Sequence, residues 1–124
     1  MPGDLAVLVA DDEAIHRHVL RKLFEGFGCA VTTVSDGAEA LAAPGTFDLV
    51  CLDRRMPVLS GDAAAKAFGG RAFVVACTSD PTDLPGDFDM LLHKPVSRES
   101  IGHALQAARL WRHFGARRAF ARRA

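Results

Sequence analysis

The sequence of 124 residues contains no apolar run long enough to span a bilayer, and its start lacks the basic and then apolar pattern of a secretory signal. It has only three cysteines, which are scattered and form no Cys-x-x-Cys pair. We therefore expect buried, reduced thiols rather than disulfides or a zinc site. No internal repeat or low-complexity segment is present. These absences predict a cytoplasmic protein, and its length predicts a single domain.

The whole chain has zero net charge, but the charges are unevenly distributed, since no acidic residue follows Glu99. The last part of the sequence carries six basic residues: Arg109, Arg112, Arg117, Arg118, Arg122 and Arg123. Such a basic end could contact nucleic acid, anionic lipid or an acidic partner. It could equally be a solvated helix end, where arginines suit the negative pole of the helix dipole. We favour the second interpretation and expect neither a nucleic-acid nor a membrane partner.

Short apolar segments alternate with segments of helical periodicity. Strands are predicted at 5–10, 30–34, 48–52, 72–77 and 89–93, and helices at 14–27, 38–43, 61–68 and from about Ser97 onward. Gly115 is expected to end the last helix and leave 116–124 as a tail, which predicts a domain at 3–113 and a basic extension at 114–124. The alternation predicts a three-layer α/β sandwich whose five parallel strands lie in the order 2-1-3-4-5.

Three carboxylates follow apolar strands of this predicted sheet: Asp11 and Asp12 after the first, and Asp53 after the third. Since the carboxyl ends of parallel strands share one edge, these side chains should lie close together. Three acids at one edge repel each other unless a cation lies among them, and Mg²⁺ prefers oxygen ligands. Thr78 and Lys94 follow the fourth and fifth strands. The pattern predicts a magnesium site suited to phosphoryl chemistry.

Together with Met56-Pro57 and Gly61 in the loop after Asp53, and with Pro95 after Lys94, this set resembles the receiver domain of two-component response regulators of the chemotaxis-regulator type. The resemblance covers residues of about 5–111. It implies that Asp53 is the phosphoacceptor, and that the peptide bond between Lys94 and Pro95 is cis.

The same resemblance implies a role for each polar residue of the site. Asp12, Asp53 and the backbone carbonyl of Arg55 would bind Mg²⁺ directly, and Asp11 would bind it through water. Thr78 and Lys94 would contact phosphoryl oxygens. Mg²⁺ is the expected cofactor.

The sequence departs from the family pattern after the threonine. Residues 79–88 contain two prolines and a glycine, so we expect the helix that normally follows the fourth strand to be shortened or absent. Leu91 occupies the switch position, which is usually aromatic, so phosphorylation is expected to act by ordering residues 78–88 instead. Arg55 and Asp80 flank the approach of water in this family. They are either exposed loop charges or modulators of hydrolysis.

The leading functional hypothesis is a phosphoacceptor regulator that receives its phosphoryl group from a histidine kinase or histidine phosphotransfer protein, which docks near helix one and the Asp53 loop. Strand one begins soon after Met1, and the sequence ends soon after the last helix. We therefore expect a stand-alone regulator rather than the receiver of a hybrid kinase. An aspartate-nucleophile phosphatase is a remote alternative, and we expect no enzyme activity. Homodimerisation through the last helix is an alternative that the sequence leaves open. The five histidines are expected to be ordinary surface or boundary residues.

Overall fold

The computed structural model describes residues 5–80 and 86–123, with side chains as far as residue 114. Strands and helices alternate along the chain over most of its length. Their bounds are β1 Ala6–Ala10, α1 Ala14–Glu25, β2 Ala30–Val34, α2 Gly37–Ala42, β3 Leu49–Asp53, α3 Gly61–Phe68, β4 Phe73–Thr78, β5 Met90–His93 and α4 Arg98–Arg123. None of the described helices combines the length and the apolar character needed to cross a bilayer.

The five strands form one parallel sheet in the order β2-β1-β3-β4-β5, as the sequence predicted. Strands β3 and β4 are buried along their whole length, whereas the edge strand β2 is only partly covered. This difference explains why the central strands are uniformly apolar and β2 contains two threonines. All carboxyl ends lie at the same edge, which brings the loops after β1, β3, β4 and β5 together.

Helices cover both faces of the sheet and give the three predicted layers. On one face α1 and α4 bury Leu20, Phe24, Ile101 and Leu105 against the strands. On the other face the buried helical residues are small, except for Phe68 of α3. The three cysteines are free and buried, as expected from the sequence. The core therefore lies on both sides of the sheet and fixes the strand ends that carry the polar residues.

Strands β3, β4 and β5 begin one residue later than predicted because aspartates precede two of them. The Asp48 carboxylate accepts the backbone N–H of Ala6 at 2.8 Å, and the Asp89 carboxylate accepts that of Val74 at 2.8 Å. These side chains take the place of a neighbouring strand as hydrogen-bond acceptors. Strands β3 and β4 also end one residue later than predicted, so Asp53 and Thr78 are the last residues of their strands and not the first residues of the loops.

The segment between β4 and β5 contains no helix within the residues described there, 79–80 and 86–89. Residues 81–85, the middle of the segment 78–88 that is expected to become ordered on phosphorylation, lie outside the described part. Phe88 is buried and packs into the core on the α2 and α3 face. The fold class is thus confirmed, including the reduced region before β5.

The last helix differs from the prediction at its far end. It begins as expected, because the Ser97 hydroxyl accepts the N–H of Ser100 at 3.1 Å. Phe114 has non-helical backbone angles (φ −110°, ψ 17°), and a second helical stretch follows across this kink and runs to Arg123. The predicted end of this helix near Gly115 is therefore confirmed to within one residue, whereas the expected tail is helical as far as Arg123. The segment is rich in alanine and arginine, and these strong helix formers outweigh a single glycine that costs about 1 kcal/mol. The domain boundary at 113 stays a prediction.

Candidate metal and phosphoacceptor site

Carboxylates from two strands meet at the carboxyl edge of the sheet. Asp11 and Asp12 follow β1, and Asp53 ends the neighbouring strand β3. Each offers an oxygen, and these three atoms all lie within 4.8 Å of one another. This confirms the convergence predicted from the sequence, and such a set of hard oxygen donors fits a magnesium ion. We call these three aspartates, together with Thr78 and Lys94, the acidic site.

Lys94 lies among the carboxylates without bonding directly to any of them. Its Nζ is 3.5 Å from Asp53 Oδ2, 3.7 Å from Asp11 Oδ2 and 3.8 Å from Glu13 Oε1. Burial alone would lower the pKa of Lys94, but the charges of Asp11 and Asp53 outweigh burial and raise it. Lys94 is therefore a stable cation beside Asp53. The peptide bond between Lys94 and Pro95 is cis, as predicted.

Thr78 ends β4 next to the acidic aspartates. Its neighbour Cys77 pairs with Asp53 in the sheet, and the Thr78 carbonyl accepts the backbone N–H of Lys94 at 2.7 Å. The Thr78 hydroxyl, in turn, accepts the N–H of Asp80 at 3.1 Å. The sheet register thus brings Thr78, Asp53 and Lys94 to one edge.

Asp11 is fully buried, yet it stays charged because its oxygens are engaged. Oδ1 accepts the backbone N–H of Glu13 at 2.9 Å, and Oδ2 is hydrogen-bonded to Nδ1 of His16. Burial raises the pKa of Asp11, but these two bonds and the charge of Lys94 more than compensate, so the pKa lies below its usual value. Arg17 fixes the same turn by donating to the Asp11 carbonyl at 2.7 Å.

Asp53 is less well compensated than Asp11. Burial raises its pKa, the charge of Lys94 opposes this rise, and the charge of Asp11 adds to it. The backbone N–H of Arg55 donates to Asp53 Oδ1 at 3.3 Å and opposes the rise only weakly. The net result is a pKa above the usual value for an aspartate. A cation placed between Asp53 and its acidic neighbours would relieve this repulsion.

The modulating residues predicted after Asp53 lie in different surroundings. Arg55 is exposed, and its guanidinium forms no ion pair with any residue in the part of the chain that is described, including Asp80. Leu91 is half-buried and packs on the core at the α2 and α3 face. Their effects on hydrolysis and switching, and the metal contact of the Arg55 carbonyl, stay predictions.

Arg54, which directly follows Asp53, contacts two other parts of the chain. Its side chain is only 20% exposed and pairs with Asp62 of α3 through two hydrogen bonds, of 2.8 and 2.7 Å. Its guanidinium carbon also lies 5.7 Å from the centre of the Phe88 ring. Arg54 therefore ties the loop after β3 to α3 and to the segment before β5.

His16 is the residue that sequence reasoning missed. We expected an ordinary surface or boundary histidine, whereas the ring lies against the acidic site and contacts Asp11. No motif pointed to this contact. Its only signal was position, since His16 lies in the first turn of the helix that follows the two aspartates, facing the sheet edge.

Comparison with known proteins agrees with the fold and the site. The family model of the response regulator receiver domain matches residues 7–106. The chain therefore belongs to the response regulator receiver family of two-component signalling. The rice (Oryza sativa subsp. japonica) two-component response regulator ORR41 is 34% identical over 125 residues, which cover 86% of this chain and 95% of ORR41. Ethylene receptor 2 of the same plant is 30% identical, but the match covers only 15% of its length and 82% of this chain.

Solved structures show the same architecture. A CheY-like receiver domain from Methylobacillus flagellatus is 27% identical, with a TM-score of 0.76 over 84% of this chain and 98% of that one. Two more distant structures share the fold. The receiver domain of the sensor histidine kinase PA1611 from Pseudomonas aeruginosa, with magnesium in its active-site cleft, is 23% identical (TM-score 0.76, 84% of this chain, 96% of that one). The receiver of yeast (Saccharomyces cerevisiae) Ssk1, co-crystallised with the phosphotransfer protein Ypd1, is 20% identical (TM-score 0.78, 89% and 92%).

Proposed function

We propose that this receiver takes a phosphoryl group from a phosphohistidine donor onto Asp53, in a reaction that requires Mg²⁺. The observation that supports this most directly is the acidic site itself. Three aspartates converge within 4.8 Å, and one of them, Asp53, also lies 3.5 Å from the ammonium group of Lys94. Independent helix caps or surface charges would not bring these groups from three strands to one point.

The chemistry is a direct transfer between two nucleophiles. A carboxylate oxygen of Asp53 forms a bond to phosphorus, while the bond from phosphorus to the donor imidazole nitrogen breaks and its electron pair stays on that nitrogen. Lys94 would pair with one phosphoryl oxygen and the Thr78 hydroxyl would donate to another. The protein contributes mainly position and charge, which is the usual requirement of phosphoryl transfer.

The residues present fit a magnesium ion. Asp12 and Asp53 would hold it directly with the backbone carbonyl of Arg55, and Asp11 would hold it through water. When bound, Mg²⁺ would neutralise negative charge on the phosphoryl group and on the aspartates. The fit follows from the donor set, because carboxylate and carbonyl oxygens at a half-open edge leave room for the waters that magnesium keeps.

A donor protein would dock beside the acidic site, on α1 and the loop after β3. Ile15 and Val19 of α1 are 82% and 42% exposed, and Val58 of the loop is 81% exposed. Exposed apolar side chains on the helix after β1 and in the loop after β3 are suited to a protein contact. The solved complex of Ssk1 with Ypd1 supports a histidine phosphotransfer protein or a histidine kinase as the partner. We place this exchange in the cytoplasm, where the free thiols would stay reduced.

The chain fits a stand-alone regulator or the receiver of a hybrid kinase. Its match to nearly the whole of ORR41 favours the first arrangement. Its match to a small part of ethylene receptor 2 supports the second. In neither arrangement do we expect turnover of phosphomonoesters, so the protein would act as an acceptor and not as an enzyme.

The test is incubation with acetyl phosphate and Mg²⁺ followed by intact-mass measurement. The wild-type chain should gain one phosphoryl group, and it should gain none when EDTA is present. Asp53→Asn should not be labelled, whereas Asp87→Asn, which changes an exposed aspartate away from the site, should be labelled like the wild type. Labelling that survives in Asp53→Asn, or labelling without a divalent cation, would contradict the proposal.

A further inference from the structure

One oxygen of the buried Asp11 carboxylate has two neighbouring hydrogen-bond donors, His16 and Lys94. Oδ2 is bonded to Nδ1 of His16 and lies 3.7 Å from Nζ of Lys94, while Oδ1 is occupied by the N–H of Glu13. The His16 bond is direct and the Lys94 contact is not. The geometry therefore makes His16 the principal partner of this oxygen.

The contact with Asp11 is the hydrogen bond that the His16 ring forms within the described part of the structure. Its side chain is 17% exposed, and its other nitrogen, Nε2, is buried and has no hydrogen-bond partner in the described part of the structure. A buried ring nitrogen without a partner costs free energy. The bond from Nδ1 to a charged carboxylate offsets that cost, because hydrogen bonds to charged groups are stronger than those between neutral groups.

We propose that His16 is a positioning residue that holds the Asp11 carboxylate toward the cation site and keeps Asp11 from pairing directly with Lys94. This inference rests on the proposed function, since it concerns the same magnesium site. Without His16, the freed Oδ2 and the ammonium only 3.7 Å away would close into an ion pair. Asp11 would then turn from Asp12 and Asp53, and Lys94 would be drawn away from Asp53.

The expected consequence is a weaker magnesium site. Groups that orient metal-binding carboxylates typically change metal affinity by about 10-fold to 100-fold when they are removed. Asp11 keeps its bond to the Glu13 amide, so we expect the lower end, a loss of about 10-fold in Mg²⁺ affinity. His16→Phe removes the donor and keeps a ring of similar size. His16→Asn keeps an N–H donor close to the position of Nδ1.

Isothermal titration with MgCl₂ on the full, unphosphorylated chain would test the inference. His16→Phe should bind Mg²⁺ about 10-fold more weakly than the wild type, and His16→Asn should recover most of that loss. His18→Phe, at an exposed position of the same helix, should bind like the wild type. In an Asp11→Asn background, adding His16→Phe should cause no further loss, because the partner of the ring is already neutral.

The outcomes separate the two proposals. If Asp53→Asn binds Mg²⁺ as tightly as the wild type, the magnesium site itself is wrong and this inference falls with it. If the wild type depends on Asp53 but His16→Phe binds equally or more tightly, the positioning role alone is overturned. The positioning role would also be overturned if His16→Phe and His16→Asn lost the same amount of Mg²⁺ affinity. It would be overturned too if His16→Phe lowered Mg²⁺ affinity as much in the Asp11→Asn background as it does in the wild type. His16→Leu replaces His16→Phe if circular dichroism shows that the phenylalanine variant does not fold.

Discussion

Arg54 and Asp62 form a two-point ion pair, with Arg54 Nε 2.8 Å from Oδ1 and a terminal guanidinium nitrogen 2.7 Å from Oδ2. Because Arg54 directly follows the proposed phosphoacceptor, the pair links the end of β3 to the first turn of α3. The Asp62 side chain is 53% exposed, so water and salt weaken the attraction. The pair therefore fixes the geometry of the loop more than it stabilises the fold.

Replacing Asp62 by asparagine should lower the free energy of unfolding by no more than about 1 kcal/mol. The bonds to Arg54 hold the pKa of Asp62 below its usual value, so the stabilisation is present above pH 3.8 and is lost as the pH falls through the folded-state pKa. Urea denaturation at low and high salt would measure this. The difference from the wild type should shrink in high salt, and an unchanged difference would argue against an electrostatic origin.

Asp53→Asn should stabilise the metal-free protein at neutral pH, by about 0.5–2 kcal/mol. Burial makes the pKa of Asp53 higher in the folded chain than in the unfolded chain, so its charge destabilises the fold above that pKa. The advantage of asparagine should therefore decrease as the pH falls through the folded-state pKa of Asp53, and it should vanish below the usual value of 3.8, where the carboxyl is protonated in both the folded and the unfolded chain. Denaturation in EDTA across this pH range would show it, with Asp87→Asn as the control. A variant less stable than the wild type at neutral pH would contradict the prediction.

Gly61→Ala should destabilise the protein by about 3 kcal/mol, because the added methyl group would collide with backbone. A Cβ at Gly61 would lie 2.2 Å from the carbonyl oxygen of Asp53. Gly69→Ala is the matched control, since its nearest contact would be 3.3 Å and its backbone is not left-handed. Thermal unfolding of both variants would test this. Equal melting temperatures would show that the loop can move aside.

Val58→Asn should raise the free energy of unfolding by about 1 kcal/mol. Val58 has φ +70°, a conformation that is strained for a β-branched residue and tolerated by asparagine. Its side chain is 81% exposed, so little apolar burial is lost. The same variant should weaken phosphotransfer from a protein donor and leave labelling by acetyl phosphate unchanged. A loss with both donors would place Val58 in the chemistry and not in docking.

The sheet and the five polar residues of the site could be predicted because each lies at the end of a strand or directly after one. Apolar runs define the strands, and the parallel topology then places their ends together. The contact of His16 with Asp11 could not be predicted in this way, since it depends on how α1 is rotated on the sheet. The contacts of Arg54 with Asp62 and Phe88 depend similarly on how the loop after β3, α3 and the segment before β5 pack together. The helix break near Gly115 was predicted, but the helical stretch beyond it was not, because the helix propensity of the alanines and arginines at 116–123 was given too little weight.

Lys94 has three anionic neighbours at similar distances and is locked to none of them. An ammonium group held in this way can exchange partners by small rotations about its own flexible side chain. Arrival and departure of a fourth anion would then leave the strands where they are. The sheet would then keep its geometry each time a phosphoryl group is gained or lost, while the ammonium group of Lys94 moves toward the negative charge.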